Sequence, residues 1–448
     1  MHLPAGAADQ PIMEKTKVAI VGLGTVGSGV ARLLIDHGDR TARHAGRTLW
    51  LEKAVVRDLS KPRAYDLPKG ILTDSLAEVL EDKEIQVVAM LVGGLEPART
   101  ITLQLLEAGK DVVTANKALL AEHGGELFDR ARQLGRAIAF EAAVAGGIPI
   151  IANISQCLSA NQIKSLHGIL NGTSNFIVTQ MEEQGWEYDR ALKEAQRLGY
   201  AEADPAMDVD GSDAAQKLAI LAHLAFGARV NWQDIPRVGI DNLAICDLRF
   251  ALELGYRIKL LAVARLADDG LELSVSPTLI RTGRPLAEVR RNYNAIHVVG
   301  DAVGDLFFHG QGAGQMPTAS AVVADMIDMG VGRARITFRT LELWSRRESK
   351  VPLRPFDDLP GRYYLRLHVV DKPGVLGQIT SILGQYQLSI ASLIQHEPSG
   401  ESATPMVPLV IMTHEAPEGA ARKAVEKISQ LGVVSGPSVR MRVMDERS

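Results

Sequence analysis

Residues 17–27 read Lys-Val-Ala-Ile-Val-Gly-Leu-Gly-Thr-Val-Gly, an apolar run that ends in a Gly-x-Gly-x-x-Gly motif. The run predicts a buried strand, and the helix-like stretch 28–38 follows it directly. Glycines at these positions allow a tight turn and let backbone N–H groups at a helix N-terminus approach a pyrophosphate. We therefore expect a dinucleotide-binding turn formed by these residues: Gly22, Gly24, Thr25, Val26 and Gly27.

The alternation of apolar runs and amphipathic stretches continues from this turn to about residue 150. Strand-like runs occur at 48–56, 85–92 and 110–116, with helix-like stretches between them. Such alternation is typical of a parallel sheet covered by helices on both faces. We predict an α/β protein whose first domain, residues 15–150, is a Rossmann-type nucleotide-binding domain.

After residue 150 the order of predicted helices and strands changes. Helical stretches precede strand-like runs over 151–316, which favours an α+β domain, and a helix at about 317–340 is expected to return to the first domain. Residues 346–360 are rich in charge and proline and predict an exposed linker. Residues 361–448 follow the order β, α, β, β, α, β, which predicts a ferredoxin-like sandwich.

Composition narrows the class of protein. The 448 residues carry 49 basic and 53 acidic side chains, a net charge of −4, with the two signs interspersed, which argues against partners such as nucleic acid or a membrane surface. No signal-like or membrane-spanning apolar segment is visible, so a cytoplasmic protein is expected. Cys157 and Cys246 lie far apart without a Cys-x-x-Cys pattern, so no disulfide framework or thiolate zinc site is predicted.

The end of the second predicted strand bears on the type of nicotinamide cofactor. Arg57 would pair with the 2′-phosphate of NADP, whereas Asp58 would accept from the free 2′-hydroxyl of NAD. The sequence favours NADP and leaves NAD open. Two solvated loop charges are the remaining interpretation.

Two lysines lie at positions where catalytic or ligand-binding residues are expected. Lys117 follows a parallel strand at the sheet edge where ligands bind, although it could also be a surface lysine behind Asn116 as a helix cap. Asp213 and Lys217 are four residues apart on a predicted helix, as either a surface bridge or a buried acid–base couple. They end a stretch of five carboxylates able to receive an ammonium group: Glu202, Asp204, Asp208, Asp210 and Asp213. The spacing of these carboxylates lacks the pattern of a calcium loop.

Six motifs together resemble homoserine dehydrogenases over about residues 15 to 345. In chain order they are GLGTVG, TANK, FEAAVAGGIPII, GILNGTSNFI, GYAEADPAMDVDGSDAAQK and GQGAGQMPTASAVVAD. The resemblance implies NAD(P)H-dependent reduction of L-aspartate 4-semialdehyde to L-homoserine in threonine and methionine biosynthesis. Met90 departs from the family, which often has an acidic residue there.

The resemblance also implies roles for individual residues. Lys217 would be the catalytic proton donor and acceptor, Lys117 its partner beside the nicotinamide, and Asp213 would orient Lys217 or the substrate. Gly312 would contact the cofactor. Substrate would be bound by Glu202, Asp208, Tyr200, Gly172 and Thr173. A monovalent cation such as sodium would be held by Glu141, Val144, Gly146 and Ile148.

The last ninety or so residues resemble an ACT domain, an amino-acid-sensing module, through the stretch at 365–395. Feedback inhibition by threonine, bound at the 371–376 turn, is implied, with an oligomerising role without ligand as the alternative. The resemblance to the family also implies that the 151–316 domain serves dimerisation and that the protein is a homodimer or homotetramer.

Two other functions are weighed against this one. An aspartate-semialdehyde dehydrogenase would need a nucleophilic cysteine with a nearby histidine, and neither cysteine has that setting in the sequence. A non-catalytic sensor of amino acid or dinucleotide would not need the set formed by Lys117, Asp213 and Lys217.

Overall fold

The computed structural model describes residues 14–340, 351–397 and 406–444, except for the side chain of His44. It forms two compact units. Of the described residues, those within Met1–Ala152 and Ala313–Arg346 form unit 1, and those within Asn153–Gly312 and Arg347–Ser448 form unit 2. Among the described residues, no helix combines the length and the apolar character needed to cross a membrane.

Unit 1 contains a six-stranded parallel sheet in the order β3-β2-β1-β4-β5-β6. The strands are β1 (Lys15–Val21), β2 (Thr48–Val55), β3 (Leu72–Thr73), β4 (Ile85–Met90), β5 (Asp111–Thr114) and β6 (Ile138–Ala139). Val18, Ala19 and Ile20 of the central strand are fully buried, as expected where helices cover both faces. This order is that of a doubly wound dinucleotide-binding sheet, so the prediction of a Rossmann-type fold is confirmed.

The helices of unit 1 come from both ends of its sequence. They are α1 (Thr25–Asp36), α2 (Gly38–Ala45), α3 (Ala77–Glu81), α4 (Ala98–Glu107), α5 (Lys117–Gln133), α6 (Ile150–Ala152), α12 (Gln315–Gly330) and α13 (Arg333–Thr340). The helix expected at about 317–340 is present in unit 1 as two helices, α12 and α13, because Gly332 between them adopts a left-handed φ of +87°. A Cβ on Gly29 would lie 2.9 Å from the Ala319 Cβ, so α1 and α12 pack closely.

Unit 2 is a mixed α/β unit with one extended sheet. Its helices are α7 (Gly172–Gln184), α8 (Tyr188–Arg197), α9 (Ala206–Val209), α10 (Ser212–Phe226), α11 (Ile245–Glu253), α14 (Val375–Gln385) and α15 (Glu418–Ser429). Its strands are β7 (Ile163–Ile169), β8 (Tyr256–Ala267), β9 (Gly270–Arg281), β10 (Tyr293–Gly300), β11 (Gly304–Gln311), β12 (Pro360–Val370), β13 (Ile390–Gln395), β14 (Met406–Thr413), β15 (Ala416–Pro417) and β16 (Val439–Val443). Strands β7 and β11 were not predicted.

The sheet of unit 2 joins the α+β part to the C-terminal part. Its order is β11-β10-β7-β8-β9-β16-β12-β14-β13, with β15 paired to β12. Within the part of the chain that the structure describes, the one parallel pairing between neighbours in this order joins β16 to β9, where Arg442 pairs with Thr278 and Val443 with Leu279. The C-terminal β12-α14-β13-β14-α15-β16 order confirms the predicted ferredoxin-like sandwich. Its core packs Leu365 and Leu367 against Ile379 and Ile428.

Residues 346–350 of the predicted linker lie outside the described residues. The part that follows lies against β9. Leu353 forms a bridge with Leu271, and Arg354 Nε lies 2.9 Å from a carboxylate oxygen of Asp269. The described part of this segment is thus fixed to unit 2 by backbone and side-chain contacts.

Candidate active site

The glycine-rich turn of unit 1 lies between β1 and α1. Gly22 has φ +99°, and a Cβ on Gly27 would lie 2.1 Å from the Gly22 carbonyl oxygen, so the tight turn requires both glycines. A Cβ on Gly24 would meet nothing within 4 Å, and no side chain caps the N-terminus of α1, which begins at Thr25. Open space next to backbone N–H groups at a helix N-terminus suits a pyrophosphate.

The loop after β2 is basic. Arg57 and Asp58 are both exposed. Asp58 Oδ1 accepts from the Ser60 N–H at 2.8 Å and from Ser60 Oγ at 2.6 Å, and these hydrogen bonds lower the pKa of the Asp58 carboxyl. The Asp58 carbonyl accepts from Arg63. The carboxylate and the carbonyl of Asp58 are therefore hydrogen-bonded within the loop, which also carries Arg57 and Arg63.

Lys117 is the first residue of α5, directly after β5. Asn116 caps this helix, since its Oδ1 accepts from the Leu119 N–H at 3.0 Å. The Asn116 amide also donates to the carbonyls of Val92 at 3.0 Å and Gly94 at 2.7 Å. Asn116 therefore caps the helix and ties its start to the loop after β4.

Met90 is the last residue of β4 and is fully buried in the sheet of unit 1. The departure from the family at this position thus places an apolar side chain within the core.

Glu141 is buried beside a short helix. Its two carboxylate oxygens accept from the N–H groups of Ile151 at 2.9 Å and Ala152 at 2.7 Å. Burial raises the pKa of the Glu141 carboxyl, while these backbone donors act in the opposite direction. The Glu141 N–H donates to Asp325 Oδ2 at 2.8 Å. Val144, Gly146 and Ile148 lie in the same turn, but the described residues contain no cluster of three or more His, Cys, Asp or Glu that could hold a metal ion.

Lys217 and Asp213 form a buried ion pair on α10. Lys217 Nζ lies 2.8 Å from Asp213 Oδ2, and the two side chains are 12% and 7% exposed. Lys217 Nζ also donates to the Leu170 carbonyl at 2.7 Å. The pair is therefore not a surface bridge, because a surface bridge would leave both side chains in solvent.

Asn171 links this pair to a second carboxylate. Its amide donates to Asp208 Oδ1 at 2.7 Å and to Asp213 Oδ2 at 2.9 Å. Its Oδ1 accepts from the Ser174 N–H at 2.7 Å and so caps α7. Two anionic side chains are therefore held on the two hydrogens of one amide group.

The loop before α9 lies against the start of α7. Thr173 Oγ1 donates to the Tyr200 carbonyl at 2.7 Å, and the Tyr200 ring lies 4.9 Å from that of Phe176. Tyr200 is 40% exposed, and Glu202 beyond it is also exposed. The Glu202 carboxylate makes no hydrogen bond to a described residue.

Gly312 and Gly172 surround the side chain of Asn294. A Cβ on Gly312 would lie 2.1 Å from the Asn294 Cγ, and a Cβ on Gly172 would lie 2.6 Å from the Asn292 carbonyl oxygen. Asn294 is 1% exposed and donates to the Leu170 carbonyl at 2.9 Å. Packing against Asn294 is therefore one physical reason for a glycine at 312.

The expected site residues divide between the two units. Unit 2 brings six of them into one network or its immediate neighbourhood: Gly172, Thr173, Tyr200, Asp208, Asp213 and Lys217. Unit 1 contains the glycine-rich turn, Arg57, Lys117 and the Glu141 turn. Sequence reasoning missed Asn171 and Asn294. The place of Asn171 between a strand and Gly-Thr-Ser resembles a helix cap and was a usable signal.

Among the described residues, no hydrogen bond joins Cys157 or Cys246 to a histidine that could activate a nucleophile. Cys157 is exposed, and burial raises the pKa of the Cys246 thiol. A catalytic thiolate needs a lowered pKa. The thioester chemistry of an aspartate-semialdehyde dehydrogenase is therefore not favoured.

Comparison with protein families identifies three matching regions. The model described as the NAD-binding domain of homoserine dehydrogenase matches residues 22–141. The model described as homoserine dehydrogenase matches residues 149–327, and an ACT domain matches residues 363–432.

Relatives that match over nearly the full length of the chain are also homoserine dehydrogenases. The homoserine dehydrogenase of Pseudomonas aeruginosa is 44% identical over 436 residues, which cover 96% of this chain and 99% of that one. That of Bacillus subtilis is 38% identical over 435 residues, again 96% and 99% of the two chains. The solved structure of a homoserine dehydrogenase from Thiobacillus denitrificans aligns with a TM-score of 0.88 at 44% identity, covering 97% of this chain and 99% of that one. The chain therefore belongs to the homoserine dehydrogenase family, NAD(P)-dependent oxidoreductases that act on the CH–OH group of homoserine.

Proposed function

We propose that Lys217 transfers the proton in the interconversion of L-aspartate 4-semialdehyde and L-homoserine. The observation that carries this proposal is the largely buried ammonium held by Asp213 Oδ2 at 2.8 Å and the Leu170 carbonyl at 2.7 Å. A lysine held at two points, away from bulk water, is oriented to give a proton to one defined position.

The chemistry requires such a donor. The nicotinamide cofactor, when bound, supplies the hydride. Reduction of the aldehyde builds negative charge on its oxygen, and the Lys217 ammonium would neutralise that charge by donating a proton. In the reverse direction the neutral amine would take the proton from the homoserine hydroxyl. Asp213 would hold the ammonium in place in both directions.

Substrate recognition would use the carboxylates near α9. Asp208 and Glu202 would receive the α-ammonium group of the substrate, and Tyr200, Gly172 and Thr173 would line the pocket. The support is the Asn171 amide, which holds Asp208 beside Asp213, and the hydrogen bond from Thr173 to the Tyr200 carbonyl. Lys117, at the N-terminus of α5, would act beside the nicotinamide.

NADP is the proposed cofactor, bound at Gly22, Gly24, Thr25, Val26 and Gly27. Arg57 would pair with the 2′-phosphate, helped by Arg63 on the same loop. Asp58, whose Oδ1 accepts two hydrogen bonds from Ser60, is a poorer acceptor for the ribose hydroxyl of NAD. A hyperthermophilic archaeal homoserine dehydrogenase, 26% identical over 71% of this chain, was solved in complex with NADPH.

The cation site is proposed at Glu141 and the carbonyls of Val144, Gly146 and Ile148. Both Glu141 oxygens already accept backbone N–H groups, which supplies an alternative, structural reason for this glutamate. Turnover in sodium, potassium and tetramethylammonium salts at equal ionic strength separates the two roles. Equal rates in all three salts would leave only the structural role for Glu141.

Regulation is proposed to reside in the ACT domain. Threonine is the proposed effector, at the Asp371–Leu376 turn, where Gly374 has φ +88° at the start of α14. A homodimer or homotetramer in the cytoplasm is the proposed state. Inhibition by threonine that vanishes in a Gly374→Val variant would support the effector site, whereas unchanged inhibition would contradict it.

The test of the proposed mechanism compares Lys217→Met with Lys164→Met, an exposed lysine of the same unit, in homoserine oxidation. Lys217→Met is expected to lower kcat by about 10²- to 10⁴-fold, the contribution of a positioned acid–base group. Lys164→Met should behave as the wild type. A Lys217→Met enzyme with wild-type kcat would overturn the proposal.

A further inference from the structure

Each of the two acceptors of Lys217 described above is shared with an asparagine. Asp213 Oδ2 accepts from Lys217 at 2.8 Å and from Asn171 at 2.9 Å. The Leu170 carbonyl accepts from Lys217 at 2.7 Å and from Asn294 at 2.9 Å. The two asparagines reach the ammonium's acceptors from two different elements, the start of α7 and the strand β10.

The orientation of both amides is fixed by their surroundings. If Asn171 were turned over, its oxygen would face two carboxylates and its NH₂ group would face the Ser174 N–H. If Asn294 were turned over, its oxygen would face the Leu170 carbonyl. Both alternatives place like partners together, so each amide must donate toward the acceptors of Lys217.

Burial removes the competition of water. Asn171 is 4% exposed and Asn294 1% exposed. Asn294 Oδ1 is buried and has no hydrogen-bond partner among the described residues. Burying the Asn294 side chain with its oxygen unsatisfied costs free energy. Its NH₂ group nevertheless donates a hydrogen bond to the Leu170 carbonyl.

Gly312 belongs to the same arrangement. A Cβ at this position would lie 2.1 Å from both Cγ and Nδ2 of Asn294, and a Cβ on Gly172 would lie 3.3 Å from Asn294 Oδ1. The Asn294 amide thus occupies space that only glycines leave open. Any side chain at 312 must displace the amide from the Leu170 carbonyl.

We propose that Asn171 and Asn294 are positioning residues that fix the two acceptors of Lys217, and through them the direction in which its proton is transferred. The proposal rests on the proton-transfer role proposed for Lys217. Asn171 acts through Asp213 and also fixes Asp208 relative to Lys217. Asn294 acts through the Leu170 carbonyl. Neither residue needs to touch substrate or cofactor for this role.

The first experiment compares Asn171→Ser with Asn231→Ser. Asn171 caps α7, and Asn231 caps the one-turn 3₁₀-helix Trp232–Asp234 by accepting from the Gln233 N–H. Serine caps helices about as well as asparagine. Only Asn171→Ser removes a group that donates to two carboxylates. It is expected to lower kcat by about 10- to 100-fold, with the KM for NADP within about twofold, because a misplaced acid–base group slows chemistry. Asn231→Ser should match the wild type.

A deuterium isotope effect separates positioning from mere loss of folded protein. With homoserine deuterated at the carbon that loses hydride, Asn171→Ser should raise the isotope effect on kcat, because the chemical step becomes more rate-limiting. A reduced fraction of folded enzyme lowers the apparent kcat and leaves the isotope effect unchanged. An isotope effect equal to that of the wild type, or a kcat within twofold of it, would overturn the role of Asn171.

Gly312→Ala provides an independent arm that does not depend on Asn171→Ser folding. Displacement of Asn294 predicts a lower kcat, a raised isotope effect and an unchanged KM for NADP. A raised KM for NADP with unchanged kcat would instead identify Gly312 as a cofactor contact and overturn the role of Asn294.

The same assays keep this inference apart from the proposed function. Full activity in Lys217→Met would overturn both. An inactive Lys217→Met enzyme beside fully active Asn171→Ser and Gly312→Ala enzymes would overturn the inference alone.

Discussion

Arg366 of β12 and Asp247 of α11 form a two-point ion pair, with Nε 2.6 Å from Oδ1 and Nη2 3.0 Å from Oδ2. The arginine side chain is 4% exposed and the aspartate is fully buried. The Tyr364 hydroxyl donates to the same Oδ1 at 2.9 Å. This pair ties the first strand of the ACT domain to a helix of the part of the chain that carries Lys217.

Removal of one partner should be costly. Arg366→Met leaves the Asp247 carboxylate buried without its counter-charge, and the free energy of unfolding should fall by about 3–5 kcal/mol. Urea-induced unfolding of the variant and of the wild type measures this difference in free energy. The matched control is Arg422→Met, because Arg422 pairs with Asp357 and Glu426 at the surface, where all three side chains are exposed, and its loss should matter little. Equal effects of the two substitutions would contradict the importance of the buried pair.

His167 should make the fold sensitive to acid. Burial, and then the charges of His297 and Arg265, lower its pKa from 6.5 to about 4. The unfolded chain therefore binds a proton that the folded chain does not, so stability is lost as the pH falls from 6.5 toward 4. The stabilisation lost over this pH range is of the order of a few kcal/mol.

The variant His167→Phe isolates this contribution. It keeps an aromatic ring, removes the titration and sacrifices no hydrogen bond at Nδ1, which is buried without a partner among the described residues. Its free energy of unfolding should depend less on pH than that of the wild type between pH 7 and 4. Parallel pH curves for the two proteins would contradict the lowered pKa.

Cofactor preference should depend on Arg57. Arg57→Ala is expected to lower kcat/KM with NADP by about 10- to 100-fold, because a guanidinium–phosphate contact of about 1.5–3 kcal/mol is lost, and to leave the value with NAD nearly unchanged. Lys61→Ala, an exposed cation of the same loop, is the control. Equal losses with NADP and NAD would show that Arg57 does not contact a 2′-phosphate.

The sequence predicted the parts of the fold that local patterns encode. The Gly22–Gly27 turn, the parallel sheet and the βαββαβ order depend on neighbouring residues, and all three were confirmed. The helix expected at about 317–340 is present as α12 and α13, because one left-handed glycine, Gly332, interrupts it. Strand β11 was missed because its residues alternate between half-exposed and exposed, so its stretch lacks the longer apolar run that predicts a buried strand.

Without the family resemblance, the sequence pattern pointed only to the charged members of the network in unit 2. Asp213 and Lys217 share a helix face at a spacing visible in sequence, and the structure places them 2.8 Å apart. Asn171 and Asn294 were missed because a neutral amide has no periodic or charge signature. Asn294 reaches the Leu170 carbonyl across 124 positions of sequence, a contact that only the pairing of β10 with β7 creates.

Chemical rescue tests the central claim, that the Lys217 side chain itself transfers the proton. In Lys217→Ala the amine is removed from a largely buried position next to Asp213 and the Leu170 carbonyl. Added ethylamine or propylamine is expected to restore part of the lost rate of homoserine oxidation, in proportion to amine concentration, while Asp213→Asn should weaken the rescue. A Lys217→Ala enzyme that turns over at the wild-type rate without added amine would contradict the claim.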